Sequence, residues 1–334
     1  MSMAFWALCL TGSKTPGKSM STDQCIGVVF VSYNCGRDIA ELIGRLKAQP
    51  VAGYRFTYVV VDNASADDSV ERLAGIVSED VVLIESPQNL GFGRGCNLAF
   101  EHTQHCDRVL LMNPDIELFD DSVEQLLACA ERVPAAGIWG GVTLGQDRLP
   151  DGANAWREPR LWHSLAWATW GDQLCIKATG TSVAAYPKSL AVGDSPYPVD
   201  AVSGCFLLID QPMLTTLGGF DDRFFMYSEE IDLCRRARAL GAQPTVCPSA
   251  QIIHEGSATV TSVNRLKFMH GARLKYFTKH SGALGGHTAR ALTGLGVGIR
   301  LAAFGAKSLI DPDAKIRFKT WLAVACDRSV WSLR

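Results

Sequence analysis

Polar side chains that can bind a metal ion or a nucleotide follow three apolar runs of the sequence. They are Ser32 and Asn34 after the first run, Asp62 and Asn63 after the second, and Asn113 and Asp115 after a later one. Each group alone also fits a turn or a helix N-cap, because Asp, Asn and Ser favour both. Occurring in this order after successive strand-like runs, the three groups together favour a ligand site.

A second set of chemical groups lies further along the chain. The segment Ser228-Glu229-Glu230-Ile231-Asp232 opens a predicted helix over 228–240, and His254 follows the apolar run 250–253. A carboxylate beside a substrate can accept a proton in general-base catalysis. The same pattern has a structural reading, in which Ser228 caps the helix and the acids complement its dipole. For His254, a structural role and a metal-ligand role both remain open.

The elements that must position these groups alternate between strand and helix signals. Predicted strands cover Ile26–Val31, Phe56–Val61, Val81–Glu85 and Arg108–Met112, and predicted helices cover Asp38–Gln49, Ala66–Val77, Phe92–Thr103 and Ser122–Arg132. Continuous apolar strands alternating with amphipathic helices predict a mostly parallel sheet covered by helices. Ligands of such α/β sheets lie beyond the carboxyl ends of the strands, where the polar groups fall.

The whole chain divides into three parts. We predict an N-terminal tail over 1–24, a catalytic domain over 25–260 and a helical C-terminal extension over 261–334. Within the catalytic domain, 145–197 carries four tryptophans among Gly, Pro and polar residues and is predicted to be a long insertion or mobile loop. Ordered structure is predicted to resume over Val199–Ile209. We predict neither a signal peptide nor a transmembrane helix, because the apolar runs are too short.

The composition excludes several classes of protein. The 334 residues are 47% hydrophobic and 20% charged, with a net charge of −2, which gives no electrostatic basis for nucleic-acid binding. Eleven cysteines occur without any C-x-x-C pair. We therefore expect buried thiols in a reducing, cytoplasmic compartment, with no disulfide framework and no zinc site.

Six segments together resemble the family 2 glycosyltransferases, especially the bacterial rhamnosyltransferase-like branch. They are Val-Ser-Tyr-Asn at 31–34, Val-Asp-Asn-Ala-Ser at 61–65, Asn-Leu-Gly-Phe-Gly at 89–93, Asn-Pro-Asp at 113–115, Gly-Gly-Phe-Asp at 218–221 and Phe-Phe-Met-Tyr-Ser-Glu-Glu-Ile-Asp-Leu at 224–233. The resemblance implies the GT-A α/β fold. It also implies metal-dependent transfer of a sugar from a nucleotide donor to a hydroxyl group, with inversion at the anomeric carbon.

The resemblance assigns roles to individual residues. Asn113-Pro114-Asp115 stands where the family has its Asp-x-Asp metal motif, so Asp115 and His254 are the expected ligands of Mg²⁺ or Mn²⁺, which prefer hard ligands. Glu230 is the expected base in place of the usual Asp, and Glu229 is its rival. The remaining residues are assigned to donor binding: Ser32, Asn34, Asp62, Asn63, Arg94, Asn97 and Asn113. The donor implied is dTDP-L-rhamnose, and the acceptor is a glycan or a lipid-linked hydroxyl in cell-surface polysaccharide synthesis.

Two features of the sequence suggest other classes of function. Gly91 and Gly93 match the start of a dinucleotide-binding G-x-G-x-x-G, but Cys96 replaces its third glycine and the loop follows the third strand instead of the first. This argues against an NAD-dependent oxidoreductase. A catalytically inactive sugar-nucleotide-binding or scaffold protein is the other alternative, suggested by Asn113 and Glu230 in place of the usual acids.

The segment Leu266–Lys279 interleaves basic and aromatic or aliphatic residues, and an apolar stretch follows it. A basic amphipathic pattern of this kind suits a membrane interface. We expect peripheral membrane contact through Lys267, Arg273 and Lys275, with packing on the catalytic domain as the alternative.

Overall fold

The computed structural model describes residues 23–193, 195–254 and 262–333, and the N-terminal tail predicted over 1–24 lies almost entirely outside them. The strands are β1 (Gln24–Ser32), β2 (Tyr54–Asp62), β3 (Val81–Glu85), β4 (Arg108–Met112), β5 (Ile116–Leu118), β6 (Ile138–Leu144), β7 (Ala155–Trp156), β8 (Tyr197–Pro198), β9 (Ala201–Val202), β10 (Phe206–Asp210) and β11 (Thr245–His254). The α-helices are α1 (Gly36–Ala48), α2 (Ser69–Ala74), α3 (Phe92–Phe100), α4 (Ser122–Arg132), α5 (Leu161–Ala168), α6 (Gly171–Thr179), α7 (Gln211–Leu217), α8 (Glu229–Ala239), α9 (Ser262–Lys307) and α10 (Pro312–Cys326).

One large mixed sheet organises the described residues. Its order is β3-β2-β1-β4-β10-β6-β11-β5, with β8 paired to β11 at the side, while β7 and β9 form a separate small sheet. Strands β1 to β4, β6 and β11 share one direction, and β5, β8 and β10 run against them. Ser32 is level with Asp62 in the parallel register. The carboxyl ends of the first strands therefore meet at one edge.

The core covers both faces of this sheet. Alternate side chains of β1, such as Phe30 and Val29, belong to two different buried clusters. Helix α1 covers one face with Ile39, Leu42 and Ile43 at helical spacing. Burial on both faces explains why the strand sequences are continuously apolar instead of alternating.

Residues 145–197 contain ordered elements, namely β7, α5 and α6. Helix α5 packs on the C-terminal extension, where the Arg300 guanidinium donates to the Trp167 carbonyl at 2.8 Å and lies 4.0 Å from the Trp167 ring. The tryptophans of this segment thus contribute to packing between distant parts of the chain. The domain boundaries proposed from the sequence stay a prediction.

The C-terminal extension is a helical hairpin followed by a third helix. Helix α9 breaks at Gly282, whose φ of 69° is left-handed, and the chain turns back there. Phe277 and Ala289, on either side of the break, share one buried cluster. Val297 packs with Val324, so α10 runs back along the second half of α9. Among the described residues, no helix is long and apolar enough to cross a membrane.

The basic residues expected at a membrane surface over 266–279 make contacts within the protein, and membrane contact through them stays a prediction. Lys267 pairs with Asp327 at 2.9 Å, Lys275 donates to the Arg223 carbonyl at 3.0 Å, and Arg273 is half-buried. Leu274 and Phe277 are buried in the protein. The apolar face of this helix is used for packing against neighbouring helices, which the sequence pattern alone does not distinguish from a membrane interface.

One cysteine expectation is also corrected. Cys129 and Cys247 form a disulfide between α4 and β11, although they are 118 residues apart and no spacing signal marks them. A second pair, Cys25 and Cys106, lies with its sulfur atoms 3.0 Å apart and His105 beside it. These three residues lie at the amino-terminal ends of β1 and β4, opposite the edge where the polar groups gather.

Candidate active site

A cavity of about 1420 Å³ opens at the carboxyl edge of the sheet. It brings together residues from strand ends, from the segment before α8 and from the start of α9. Seven of the residues singled out in the sequence line it, namely Asn34, Asn63, Asn113, Asp115, Glu229, Glu230 and His254. The topology explains this convergence, because β1, β2, β4 and β11 all end at the same edge.

Asp115 and His254 form the pair best suited to a metal ion. The Asp115 Oδ1 atom lies 3.5 Å from His254 Nε2, and both side chains are mostly buried. The pairing of β5 with β11 explains the contact, since Ile116 is opposite His254 in the antiparallel register. Burial opposes charge on both groups, but their attraction outweighs it, lowering the pKa of Asp115 and raising that of His254.

The side chains around this pair fit a divalent cation. Among the described residues, the buried His254 Nε2 atom makes no hydrogen bond besides its 3.5 Å contact with Asp115, so a neutral His254 can offer this atom to a metal ion. Asn113 adds an amide beside Asp115 and lines the same cavity. One carboxylate and one imidazole leave positions open for diphosphate oxygens and water, as Mg²⁺ and Mn²⁺ sites in enzymes commonly do.

The acids Glu229 and Glu230 face this pair across the cavity at the start of α8. Two consecutive residues before them, Tyr227 and Ser228, have left-handed φ values of 69° and 67°. Such non-glycine conformations cost about 1–3 kcal/mol each and gather at functional sites. Ser228 makes no side-chain cap, so the expected capping role is wrong. The strained turn instead fixes where the two carboxylates point.

The two carboxylates differ in environment. Glu229 is buried and lies against Gly93 of α3, whereas Glu230 is half-buried and lies near Gly204. Burial raises the pKa of Glu229 well above its usual range, and the charge of Glu230 raises it further. Burial also raises the pKa of Glu230, to about 7, against the opposing effect of nearby backbone N–H groups and of Trp156. Glu230 is therefore the group poised to exchange a proton near neutral pH.

The residues predicted around β1 and β2 hold the loops of the cavity in place. The Asp62 carboxylate accepts from the Ser65 N–H at 2.9 Å and from its hydroxyl at 2.5 Å, and Asn34 Oδ1 accepts from Ala66 N–H at 2.8 Å. Asp62 and Ser32 are almost fully buried. Asn63 clamps the glycine-rich loop, donating to the Gly91 carbonyl at 3.0 Å. Their donor-binding roles stay predictions.

Arg94 and Asn97 are not brought to the cavity. Arg94 donates to the Asp222 carbonyl at 2.6 Å, and Asn97 donates to the Phe220 carbonyl at 2.9 Å. Both residues tie α3 to the segment that leads into α8. These contacts position α3, and the donor-binding roles expected for Arg94 and Asn97 stay predictions.

Sequence reasoning missed several lining residues. Asp151 and Trp156 come from the 145–197 segment, and Arg265 comes from the first turn of α9. The indole N–H of Trp156 lies beside the Glu230 carboxylate, where it favours the ionised form. No local motif marks these residues, since the contacts arise only when the two distant segments fold over the sheet edge.

Sequence comparisons identify similar proteins. Residues 27–185 match the family model described as Glycosyl transferase family 2. The N-acetylglucosaminyl-diphospho-decaprenol L-rhamnosyltransferase of Mycobacterium tuberculosis is 28% identical over 240 residues, covering 68% of this chain and 75% of that protein. Rhamnosyltransferase WbbL of Escherichia coli is 24% identical over 216 residues, covering 58% of this chain and 76% of that protein.

Structural comparisons identify the fold. The mannosyltransferase PcManGT from Pyrobaculum calidifontis, solved with GDP-Man and Mn²⁺, is similar at a TM-score of 0.54 with 13% identity, over 91% of this chain and 85% of that one. GalNAc-T7, solved with UDP, GalNAc and Mn²⁺, is similar at a TM-score of 0.52 with 12% identity, over 76% of this chain and 47% of that one. The GT-A fold expected from the sequence is thereby confirmed.

Proposed function

We propose that this family 2 glycosyltransferase of the rhamnosyltransferase-like branch, whose residues 27–185 match the family model, transfers L-rhamnose from dTDP-L-rhamnose to an acceptor hydroxyl. The names of its relatives support the choice of sugar. One of those names contains a diphospho-decaprenol unit, which supports a glycan or lipid-linked acceptor. The proposed setting is cell-surface polysaccharide synthesis at the cytoplasmic face of a bacterial membrane.

The observation that carries the proposal is the arrangement of two unlike groups around one cavity. Glu230, with a pKa of about 7, faces it from α8, and the Asp115–His254 pair faces it from the strand ends. Transfer to a hydroxyl needs a base for the nucleophile and charge neutralisation for the leaving diphosphate. The cavity offers a candidate for each.

The proposed reaction is a single displacement. Glu230 accepts the proton of the acceptor hydroxyl while its oxygen forms the new bond to the anomeric carbon. The bond from that carbon to the donor diphosphate breaks on the opposite side, so the configuration inverts. A divalent cation held by Asp115 and His254 would offset the negative charge that grows on the departing nucleotide. Burial raises the pKa of Glu229 well above its usual range, which favours its protonated form and leaves Glu230 as the proton acceptor.

A donor screen tests the proposal. Purified protein with Mn²⁺ or Mg²⁺ should release nucleotide from dTDP-L-rhamnose faster than from GDP-mannose or a UDP-sugar, and EDTA should stop the release. Asp115→Ala should abolish metal-dependent donor binding in a thermal-shift assay while the protein stays folded. Preference for another donor would replace rhamnose in the proposal, and binding without any turnover would favour an inactive sugar-nucleotide-binding protein.

A further inference from the structure

The connection between α9 and α10 carries an exposed apolar patch. Leu309 and Ile310 are 87% and 89% exposed, and Ile316 on α10 is 64% exposed. Single exposed aliphatic residues are ordinary, but three within eight positions form a patch that needs a partner. We call residues 307–319 the helical tip.

Basic side chains surround this patch. The tip contains Lys307, Lys315, Arg317 and Lys319 against Asp311 and Asp313, and all six are exposed. The Asp311 carboxylate caps α10 by accepting from the backbone of Asp313 at 2.9 Å. Within the part of the chain that the structure describes, none of the three lysines forms an ion pair. Aliphatic residues among unpaired cations match the surface of an anionic lipid bilayer.

The fold brings the helical tip to the end of the helical bundle at which the first turn of α9 lines the cavity. The Trp167 ring lies 4.7 Å from the His270 ring and 4.0 Å from the Arg300 guanidinium, so the two halves of α9 are level at these positions. From His270 the first half runs back about 9 Å to Asn264, which lines the cavity. From Arg300 the antiparallel second half runs about 10 Å in the same direction to Lys307.

We propose that the helical tip docks on an anionic lipid bilayer and so holds the cavity next to an acceptor anchored in that bilayer. The acceptor part rests on the proposed function, whereas the docking part rests only on the tip. A second copy of the chain fits the tip poorly, because the same four cations would face each other across a symmetric contact.

Vesicle flotation tests the docking. Wild-type protein should float with phosphatidylglycerol-containing vesicles and less with phosphatidylcholine alone, and high salt should weaken binding. The double variant Leu309→Ser/Ile310→Ser should lose most of the binding. Lys315→Glu/Lys319→Glu should weaken binding by thirtyfold or more, since each cation near such a surface contributes about fivefold.

Leu284 offers a matched control. It is 80% exposed but lies at the Gly282 break, at the opposite end of the bundle. Leu284→Ser should float like the wild type. Equal loss in Leu284→Ser and the tip variants, or no flotation of wild type with anionic vesicles, would overturn the docking. So would a tip variant that changes the oligomeric state of lipid-free protein in light scattering, since the patch would then cover a second copy.

Donor hydrolysis separates this proposal from the proposed function. Release of dTDP from dTDP-L-rhamnose by water needs no membrane, so tip variants should keep the wild-type rate. If the protein floats with vesicles but releases no dTDP, the docking proposal stands and the rhamnosyltransferase proposal is wrong. If it releases dTDP but does not float, the rhamnosyltransferase proposal stands and the docking proposal is wrong.

Discussion

At the scale of single residues, the neighbouring acids Glu229 and Glu230 illustrate how burial divides roles between like groups. Two carboxylates in a low-dielectric site do not ionise together, so the more buried one keeps its proton. Here Glu229 lies against α3, and Glu230 meets the cavity. From the sequence, both acids were predicted as candidate bases. The sequence carried no information on protonation, because the burial comes from α3 and from the 145–197 segment.

Glu230→Gln should lower the turnover rate about 10²–10⁴-fold with little change in donor affinity, because the variant keeps the shape and removes the proton acceptor. Glu229→Gln is the matched control and should be much milder, since burial raises the pKa of Glu229 well above its usual range and disfavours its charged form. Steady-state kinetics and donor titration measure both. If Glu229→Gln proves the more damaging change, the roles of the two acids must be exchanged.

The same substitution should stabilise the protein. The pKa of Glu230 is raised from 4.5 to about 7 by folding, so the native state binds more protons between these values and stability falls as pH rises through them. Above pH 7 the charged Glu230 costs about 3 kcal/mol, which Glu230→Gln removes. Urea unfolding at pH 8 and at pH 4 should show the gain at pH 8 alone. An equal gain at both pH values would show that the raised pKa is not its cause.

Trp156→Phe should shift the acidic limb of the pH–rate profile to higher pH. The indole N–H favours the ionised Glu230, and its removal raises the pKa of that carboxyl further. The rate at alkaline pH should stay close to wild type, since the base is ionised there in both proteins. A uniform loss at every pH would instead indicate that Trp156 binds substrate or supports the fold.

At the scale of elements, the parts built from local pattern were predicted best. The strands Val81–Glu85 and Arg108–Met112 and the helix Ser122–Arg132 have the predicted bounds. The ordered segment predicted over Val199–Ile209 contains β9 and most of β10, which belong to different sheets. Local apolar character does not reveal such a change of partner, because strand pairing depends on the rest of the chain.

Gly91→Ala tests how the start of α3 supports the segment that leads into α8. Gly91 has a φ of 81°, and an added Cβ would lie 2.0 Å from the Phe225 carbonyl oxygen, which accepts from the Phe92 N–H at 2.9 Å. The variant should lose at least about 1–3 kcal/mol of stability and much of its activity, because the segment before Glu229 must move. Chemical denaturation and kinetics measure these losses.

Gly44→Ala is the control for that substitution. Gly44 lies within α1 with open space around it, so alanine should be neutral or add up to about 1 kcal/mol. A Gly91→Ala protein as stable and active as Gly44→Ala would show that the close approach of Gly91 to Phe225 does not position the segment that leads into α8.

At the scale of the whole molecule, a buried charge cluster joins the catalytic domain to the C-terminal helices. Asp232 of α8 is fully buried and meets Arg236 at 2.8 Å, Lys279 at 2.6 Å and His280 at 2.7 Å. Lys279 also meets Asp221 at 2.6 Å. The cluster fixes the first half of α9, close to its break at Gly282, beside α8, which carries Glu230. The helical extension was predicted from the sequence. Its packing on α8 was not, because Lys279 and Asp232 are 47 residues apart along the chain.

Lys279→Met should therefore affect both stability and activity. The variant removes a cation from between two carboxylates, Asp232 and Asp221, and leaves Asp232 with two of its three partners. Loss of one member of a buried charge cluster should cost about 2–4 kcal/mol, because the remaining charge is not solvated. Urea unfolding measures this cost. Turnover should fall as well, since a displaced α9 removes Arg265 from the cavity wall.

Lys267→Met is the matched control on the same helix. Its ion pair with Asp327 is more exposed, at 23% and 28% against 14% and 0% for Lys279 and Asp232, so water solvates the charge that remains. It should cost less than about 1 kcal/mol and leave turnover unchanged. Similar small costs for the two variants would mean that the charge cluster does not join the two parts of the chain. A large cost for Lys279→Met with normal turnover in the folded protein would mean that the extension stabilises the catalytic domain without shaping its cavity.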